Sequence, residues 1–200
     1  NPLPQSGTPP QPATMAPQTP ETRPVLHPRR ALSWGRRLGS VALGALAMWA
    51  AAWGWRSALP EVKSFDVQRF SAQQLERGAQ IAALVNCAGC HTAAEGWRNA
   101  GGRALVTPFG TVYSTNLTPD PSTGIGLWSY EAFARAMREG VSRDGHALYP
   151  VFPYTAFARL SEDDMTALYA WVMSQTPRSQ TTPEANMVGG LNLRPALSVW

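Results

Sequence analysis

The sequence predicts an all-α fold, with one transmembrane helix leading into a small helical domain. Three observations carry this. Three segments place apolar residues at helical spacing behind a capping side chain, no strand alternation persists anywhere, and residues 38–55 (LGSVALGALAMWAAAWGW) run without a charge. The chain contains no internal repeat.

Residues 1–37 read as a disordered basic tail. Nine of the 18 prolines fall between Pro2 and Pro28, and aliphatic residues are scarce, so the stretch buries too little surface to offset the entropy of ordering it. Arg23, Arg29, Arg30, Arg36 and Arg37 face only Glu21 here, while the rest of the chain carries 12 basic and 12 acidic side chains. The excess charge belongs to the tail. No basic cluster marks a folded face, so no nucleic-acid partner is expected.

Residues 38–55 read as the anchor. They just suffice for a hydrocarbon core of roughly 30 Å. Trp49, Trp53 and Trp55 crowd one end, where headgroups favour indoles, and the preceding arginines hold the N-terminus in the cytoplasm. A cleaved signal segment ending near Ala50–Ala52 and a buried core helix are the alternatives. Anchor and signal agree in sending residues 57–200 to the periplasmic side of the inner membrane.

Residues 56–69 form a linker, 70–177 a domain, and 178–200 a C-terminal extension. The first domain helix runs from Ser71, its cap, to Val85, with Leu75, Ala79, Ala82 and Val85 on one stripe. The second spans Tyr130 to Glu139, capped by Ser129 and ended by Gly140, with a stripe of Tyr130, Phe133, Ala134 and Met137. The third spans Glu162 to Ser174, where Ser161 and Asp164 approximate a capping box and Leu160 and Met165 a hydrophobic staple. Its stripe is Met165, Leu168, Trp171 and Val172. Gly78 offers a notch where Trp171 and Tyr169 could cross. The glycine-rich stretch 92–128 is too long for an ordinary loop and is expected to be functional or wrapped around something.

The chemistry lies at residues 87–91, Cys-Ala-Gly-Cys-His. Two thiols at i and i+3 can add to the two vinyl groups of one haem, and the adjacent histidine can bind its iron: the c-type attachment signature. A thioredoxin-like pair needs a βαβ context, and the flanks are helical. A zinc site needs four ligands, and only His27 and His146 remain. Two cysteines at this spacing are not a disulfide framework.

Further segments resemble a known family. GGRALVTPFGTVYSTNLTPD, TGIGLWSYEAFARAMREGV and LYPVFPYTAFARLSEDDMTALYAWVMSQ, all within 100–176, are similar to the cytochrome c subunits of bacterial membrane-bound dehydrogenases. Those serve alcohol, gluconate, sorbitol and fructose dehydrogenases and molybdenum-containing aldehyde and N-heterocycle dehydrogenases. The resemblance covers about residues 70–200. It implies a class I cytochrome c-like domain around one covalent haem c. It also implies an electron-transfer subunit rather than an enzyme, with a dehydrogenase catalytic subunit as donor and quinone or another respiratory carrier as acceptor.

Two departures stand out. Most relatives of this kind carry three haem motifs, whereas this sequence has one, so a fragment or a shortened single-haem member is expected. Many relatives also read LYP-x-Met-Pro-Tyr, whose methionine fills the distal iron position; here that slot is Phe152, which has no lone pair. Met137 is the first distal candidate and Met173 the weaker one, followed by Met165, Met187 and His146. A Met/His pair would favour electron transfer. An open site would favour peroxidase chemistry or small-ligand binding, and a non-catalytic membrane adapter is a third reading. Tyr113, Asn116, Trp128 and Arg103 are candidates for the haem propionates, and Pro150 and Pro153 fix the backbone beside the distal pocket.

Overall fold

A computed structural model describes residues 29–54, 56–63, 65–188 and 197, with backbone only for 29–36 and 50–54. The chain divides into two compact units, residues 1–43 and 44–200. Helix α1 spans Arg29–Gly54. It begins inside the segment expected to be disordered, because Arg, Ala and Leu in RRALSWGRRL are good helix formers. Residues 1–28 lie outside the described residues. Within α1 the side chains of 37–49 are exposed on every face, including Leu38, Val41, Leu43, Leu46 and Met48. Among the described residues no helix is long and apolar enough to cross a membrane. Glycine and tryptophan dilute the hydropathy of this one, and the sequence expectation extended to residue 55.

The second unit is mainly helical, and its helices match the expected ones closely. Helix α2 (Ala72–Leu84) carries a complete capping box: Gln74 N–H donates to Ser71 Oγ at 3.2 Å, and Ser71 N–H to Gln74 Oε1 at 2.9 Å. Helix α3 is a single turn, Cys87–His91. Helix α4 (Tyr130–Glu139) starts at the Ser129 cap and stops at left-handed Gly140. Helix α5 is the short Tyr154–Phe157 turn, and α6 spans Glu162–Met173. Ser161 caps α6, but the expected box is only half made. Asp164 donates its backbone N–H to Ser161, while its carboxylate takes Arg77 at 2.8 Å instead of reaching back.

Helix α6 is central, with Met165, Ala167, Leu168, Tyr169, Ala170, Val172 and Met173 all buried. Burial of each large apolar side chain contributes roughly 1.5–3 kcal/mol. Helices α2 and α6 cross at Gly78. A methyl there would strike the Ala167 carbonyl and lie 2.6 Å from Trp171 Cβ, so only glycine permits this approach. The Cβ of Trp171 lies at the notch, together with the Ala167 backbone. Tyr169 faces another way, into a ring cluster with Phe65, Tyr130 and Phe133 at centroid distances of 5.3, 5.6 and 5.4 Å. Its hydroxyl donates to the Trp128 carbonyl at 2.8 Å, and burial pushes its pKa up to about 12.

The all-α expectation needs correction. A three-stranded antiparallel sheet, β1 (Ala104–Thr107), β2 (Gly110–Tyr113) and β3 (Asn186–Met187) in that order, grows out of the 92–128 stretch. β1 pairs Ala104 with Tyr113 and Thr107 with Gly110, while β2 pairs Gly110 with Met187. Strands of four and two residues are too short to show alternation in sequence. The sheet also explains the long loop: the C-terminal extension is bound across it. Arg178 N–H donates to Thr118 Oγ1 at 3.1 Å, Gln180 N–H to Thr123 Oγ1 at 2.9 Å, and Val188 N–H to the Phe109 carbonyl at 2.8 Å.

The segment read as a linker is also bound, over its first residues, to the domain. Leu59 N–H donates to Arg143 O at 2.7 Å and Val62 N–H to Leu127 O at 3.0 Å, and Glu61 pairs with Arg143 at 3.2 Å. Arg135 ties the arrangement together by donating to the carbonyls of Ser57, Ser142 and Arg143.

Candidate haem site

The site begins at the end of α2. Asn86 adopts a left-handed conformation (φ 56°), which turns the chain sharply, and its side chain accepts from Gly89 N–H at 3.2 Å to cap α3. This places Cys87 and Cys90 one turn apart on the same short helix. Both thiols are free. Cys87 is half-buried and packs against the core cluster, as Val85, Met137 and Leu160 also do. Burial pushes its thiol pKa up to about 11. Cys90 is exposed.

His91 closes the helix. Its Nδ1 lies 2.7 Å from the Thr115 carbonyl oxygen. A carbonyl can only accept, so Nδ1 carries the proton and Nε2 keeps its lone pair. Burial lowers the imidazole pKa, opposed by the Thr115 bond, and so favours the neutral ring that binds metals. Thr115 is held in place by its neighbours. Gly101 (φ 78°) presses against Thr115 and Asn116, leaving no room for a side chain, and donates its N–H to His91 O at 2.8 Å. The donor set fits a covalently attached haem: two free thiols, a neutral imidazole with one open nitrogen, and half-buried apolar groups alongside. Among the described residues no group of three or more His, Cys, Asp or Glu is placed to hold a bare metal ion.

The other sequence candidates separate clearly. Met137 on α4 is half-buried in the cluster that includes Cys87. Met173 and Met165 are buried in α6, at 5% and 0% exposure. Met187 belongs to a second cluster with Val112, Tyr149 and Leu197. His146 is paired through Nδ1 with Asp144 at 2.7 Å. Phe152 stacks on Phe157 at 5.3 Å. Asn116 is unsuited to a propionate, because its amide is already used. It donates to Thr123 Oγ1 at 3.0 Å and Arg178 O at 2.7 Å, and accepts from Thr118 N–H and Oγ1. Trp128 packs against the core, Tyr113 is half-buried on β2, and Arg103 is exposed. Thr115 carries no signal in the sequence, because its role is a backbone carbonyl. Asn86 was missed as well, and the signal that could have found it is an asparagine directly before the Cys87–His91 turn, a favoured capping residue.

Residues 75–176 match the Cytochrome c family. The chain belongs to that family. Membership implies a covalent haem c. Over 189 residues, 94% of the chain, it is 50% identical to a nicotinate dehydrogenase subunit of Pseudomonas putida, of which it covers 15%. It is 42% identical over 127 residues (63% of the chain and 27% of the relative) to the cytochrome c subunit of alcohol dehydrogenase (quinone) from Gluconacetobacter polyoxogenes. It is 32% identical over 179 residues, 86% of the chain, to a diheme cytochrome c-type protein of Cereibacter sphaeroides, of which it covers 57%. The chain thus spans only 15% and 27% of the length of the first two relatives. The resemblance to dehydrogenase cytochrome c subunits read from the sequence holds.

Proposed function

We propose that these residues form the electron-transfer domain of a dehydrogenase complex, with one haem c bonded to Cys87 and Cys90 and its iron held by His91. The observation that carries this reading is the Thr115 carbonyl bonded to His91 Nδ1, on the same one-turn helix that presents both thiols. An acceptor on the ring nitrogen that faces away from a metal fixes the ring and raises its basicity toward that metal. When bound, the haem supplies a one-electron iron couple. The chain supplies the thioethers, the oriented imidazole and an apolar surround that excludes water. With two cysteines, residues 1–200 offer attachment for one haem.

The donor is a dehydrogenase catalytic subunit and the acceptor a quinone or another respiratory carrier. The names of the relatives support this, as does the absence of net charge after residue 37, which suits a fixed partner better than a steered one. The domain lies at the periplasmic face of the inner membrane. Supporting this are the uncharged stretch after Arg36–Arg37 and the apolar side chains exposed all around α1, which need lipid or protein cover.

Met137 is the distal ligand in this reading, with Met173 second. A specific observation favours the rival open-site reading: the slot that many relatives fill with methionine holds Phe152, stacked on Phe157. The oxidised absorption spectrum decides between them. A sulfur-to-iron charge-transfer band that disappears in Met137→Ala supports Met137, and one lost instead in Met173→Ala selects the second candidate. A high-spin spectrum that responds to carbon monoxide after reduction establishes the open site and overturns the methionine reading. Replacing His91 should abolish acceptor reduction while the catalytic subunit still reduces an artificial dye; unchanged acceptor reduction would make the domain a mere adapter.

A further inference from the structure

Five guanidinium groups of this domain are engaged where they stand. Arg56, Arg77, Arg138 and Arg143 pair with Glu139, Asp164, Glu162 and Glu61. Arg135 is spent on carbonyls. Arg69, Arg98, Arg103, Arg159 and Arg178 form no such pair among the described residues, and Arg98 and Arg178 differ from the other three in lining one cleft together. Among the described residues neither Arg98 nor Arg178 forms an ion pair, and their nearest acids in sequence, Glu95 and Glu184 respectively, pair with neither. Both line one cleft of about 240 Å³ with Trp97, Gln175 and Thr176.

The cleft is built rather than incidental. The Arg178 guanidinium lies 3.9 Å above the Trp97 ring centroid, and Trp97 is 59% exposed. Stacking of this kind orients a guanidinium while leaving its N–H edge open to a carboxylate. The backbone beneath both arms is fixed. Arg178 N–H donates to Thr118 Oγ1 at 3.1 Å, and its carbonyl accepts from buried Asn116 at 2.7 Å. On the other arm, Ala100 N–H donates to Trp97 O at 3.0 Å and Asn99 N–H to Thr92 Oγ1 at 3.1 Å. The loop then closes on α3 through the Gly101 bond to His91 O. Two positive charges without ion pairs and an exposed indole therefore stand on two fixed segments, of which the one carrying Trp97 and Arg98 is tied to α3.

We propose that the Trp97–Arg98–Arg178 cleft is a docking surface for an acidic segment of the dehydrogenase catalytic subunit. The partner's carboxylates bridge the two guanidiniums, and the indole supplies the apolar anchor. In a domain without net charge, this patch sets which face meets the partner, and it seats the partner beside α3. The proposal rests on the electron-transfer reading above, in that a catalytic subunit delivers the electrons.

The test compares the full haem-loaded chain with its R98E/R178E and R98K/R178K variants, each co-expressed with the catalytic subunit. Haem content and the reduced absorption spectrum show whether each variant folds. The readouts are co-purification with the catalytic subunit and the rate of substrate-driven haem reduction across a salt series. The double reversal should reduce association and rate about tenfold at low salt and flatten the salt dependence, while the lysine variant keeps most of the salt dependence. A spectrally normal R98E/R178E chain that matches the wild type in rate and salt dependence overturns the proposal. If wild-type haem is not reduced by the catalytic subunit, the electron-transfer reading fails instead. Hexaglutamate binding then decides the cleft: binding lost in R98E/R178E supports it, and no binding to the wild type refutes it.

Discussion

Gly78→Ala sets two effects of opposite sign against each other. In a free helix the change is stabilising by about 1 kcal/mol, because alanine loses less backbone entropy than glycine. At this crossing the new methyl strikes the Ala167 carbonyl oxygen and lies 2.6 Å from Trp171 Cβ and 2.7 Å from the Ala167 carbonyl carbon. Two of those obstacles are backbone and the third is the root of a side chain, so none can swing away. Helices α2 and α6 must move apart, and overpacking of this kind costs typically about 1–3 kcal/mol, sometimes more. The upper end applies here, giving a net loss of about 2 kcal/mol and a fall in melting midpoint of roughly 10 °C for a domain of this size. The assay is thermal unfolding of the haem-loaded protein, followed by circular dichroism and by the Soret band. A variant as stable as the wild type, or more so, would show that the helices do not cross this closely.

Other residues give sharper local tests. Tyr169→Phe leaves the Trp128 carbonyl without its donor and should cost about 1–3 kcal/mol in denaturant unfolding; no measurable loss would mean that carbonyl is satisfied another way. Asn116→Ala removes the bonds to Thr118, Thr123 and Arg178 together and should destabilise by roughly 2–4 kcal/mol and speed proteolysis after residue 177. Its haem spectrum should stay unchanged, whereas a shifted spectrum would restore Asn116 to the haem environment. Acid should also weaken the domain. Arg77 holds the Asp164 carboxyl below its ordinary value of 3.8, so its contribution is fully present above that pH and is lost as the pH falls through the depressed value. In Asp164→Asn the loss of stability below pH 4 should be shallower, and an identical acid limb would show that Asp164 plays no part in it.

The helices were legible because their signals are local. Ser71, Ser129 and Ser161 each cap the helix their position implies, and Gly140 ends one. The sheet was not legible, since its third strand, Asn186–Met187, lies more than seventy residues beyond its partner Gly110–Tyr113 and shows no alternation of its own. The site divides the same way. Cys87, Cys90 and His91 announce themselves by spacing, but the Thr115 carbonyl that orients the imidazole is a backbone group brought near by the fold. Asn116 misled for a related reason. A polar residue inside a motif suggests a ligand contact, and only the structure shows its donors already committed to Thr123 and Arg178.

The central claim is covalent attachment of haem through Cys87 and Cys90 with His91 on the iron. The most direct measurement is the intact mass of the denatured chain, produced in a host that matures c-type cytochromes, alongside haem staining of the same denatured protein. Covalent attachment predicts a mass increase of one haem per chain that resists acidic acetone, disappears in C87A/C90A, and leaves the wild-type thiols unreactive to alkylation. Haem that extracts freely from the wild type, or a chain that keeps both thiols alkylatable while binding haem, would contradict it.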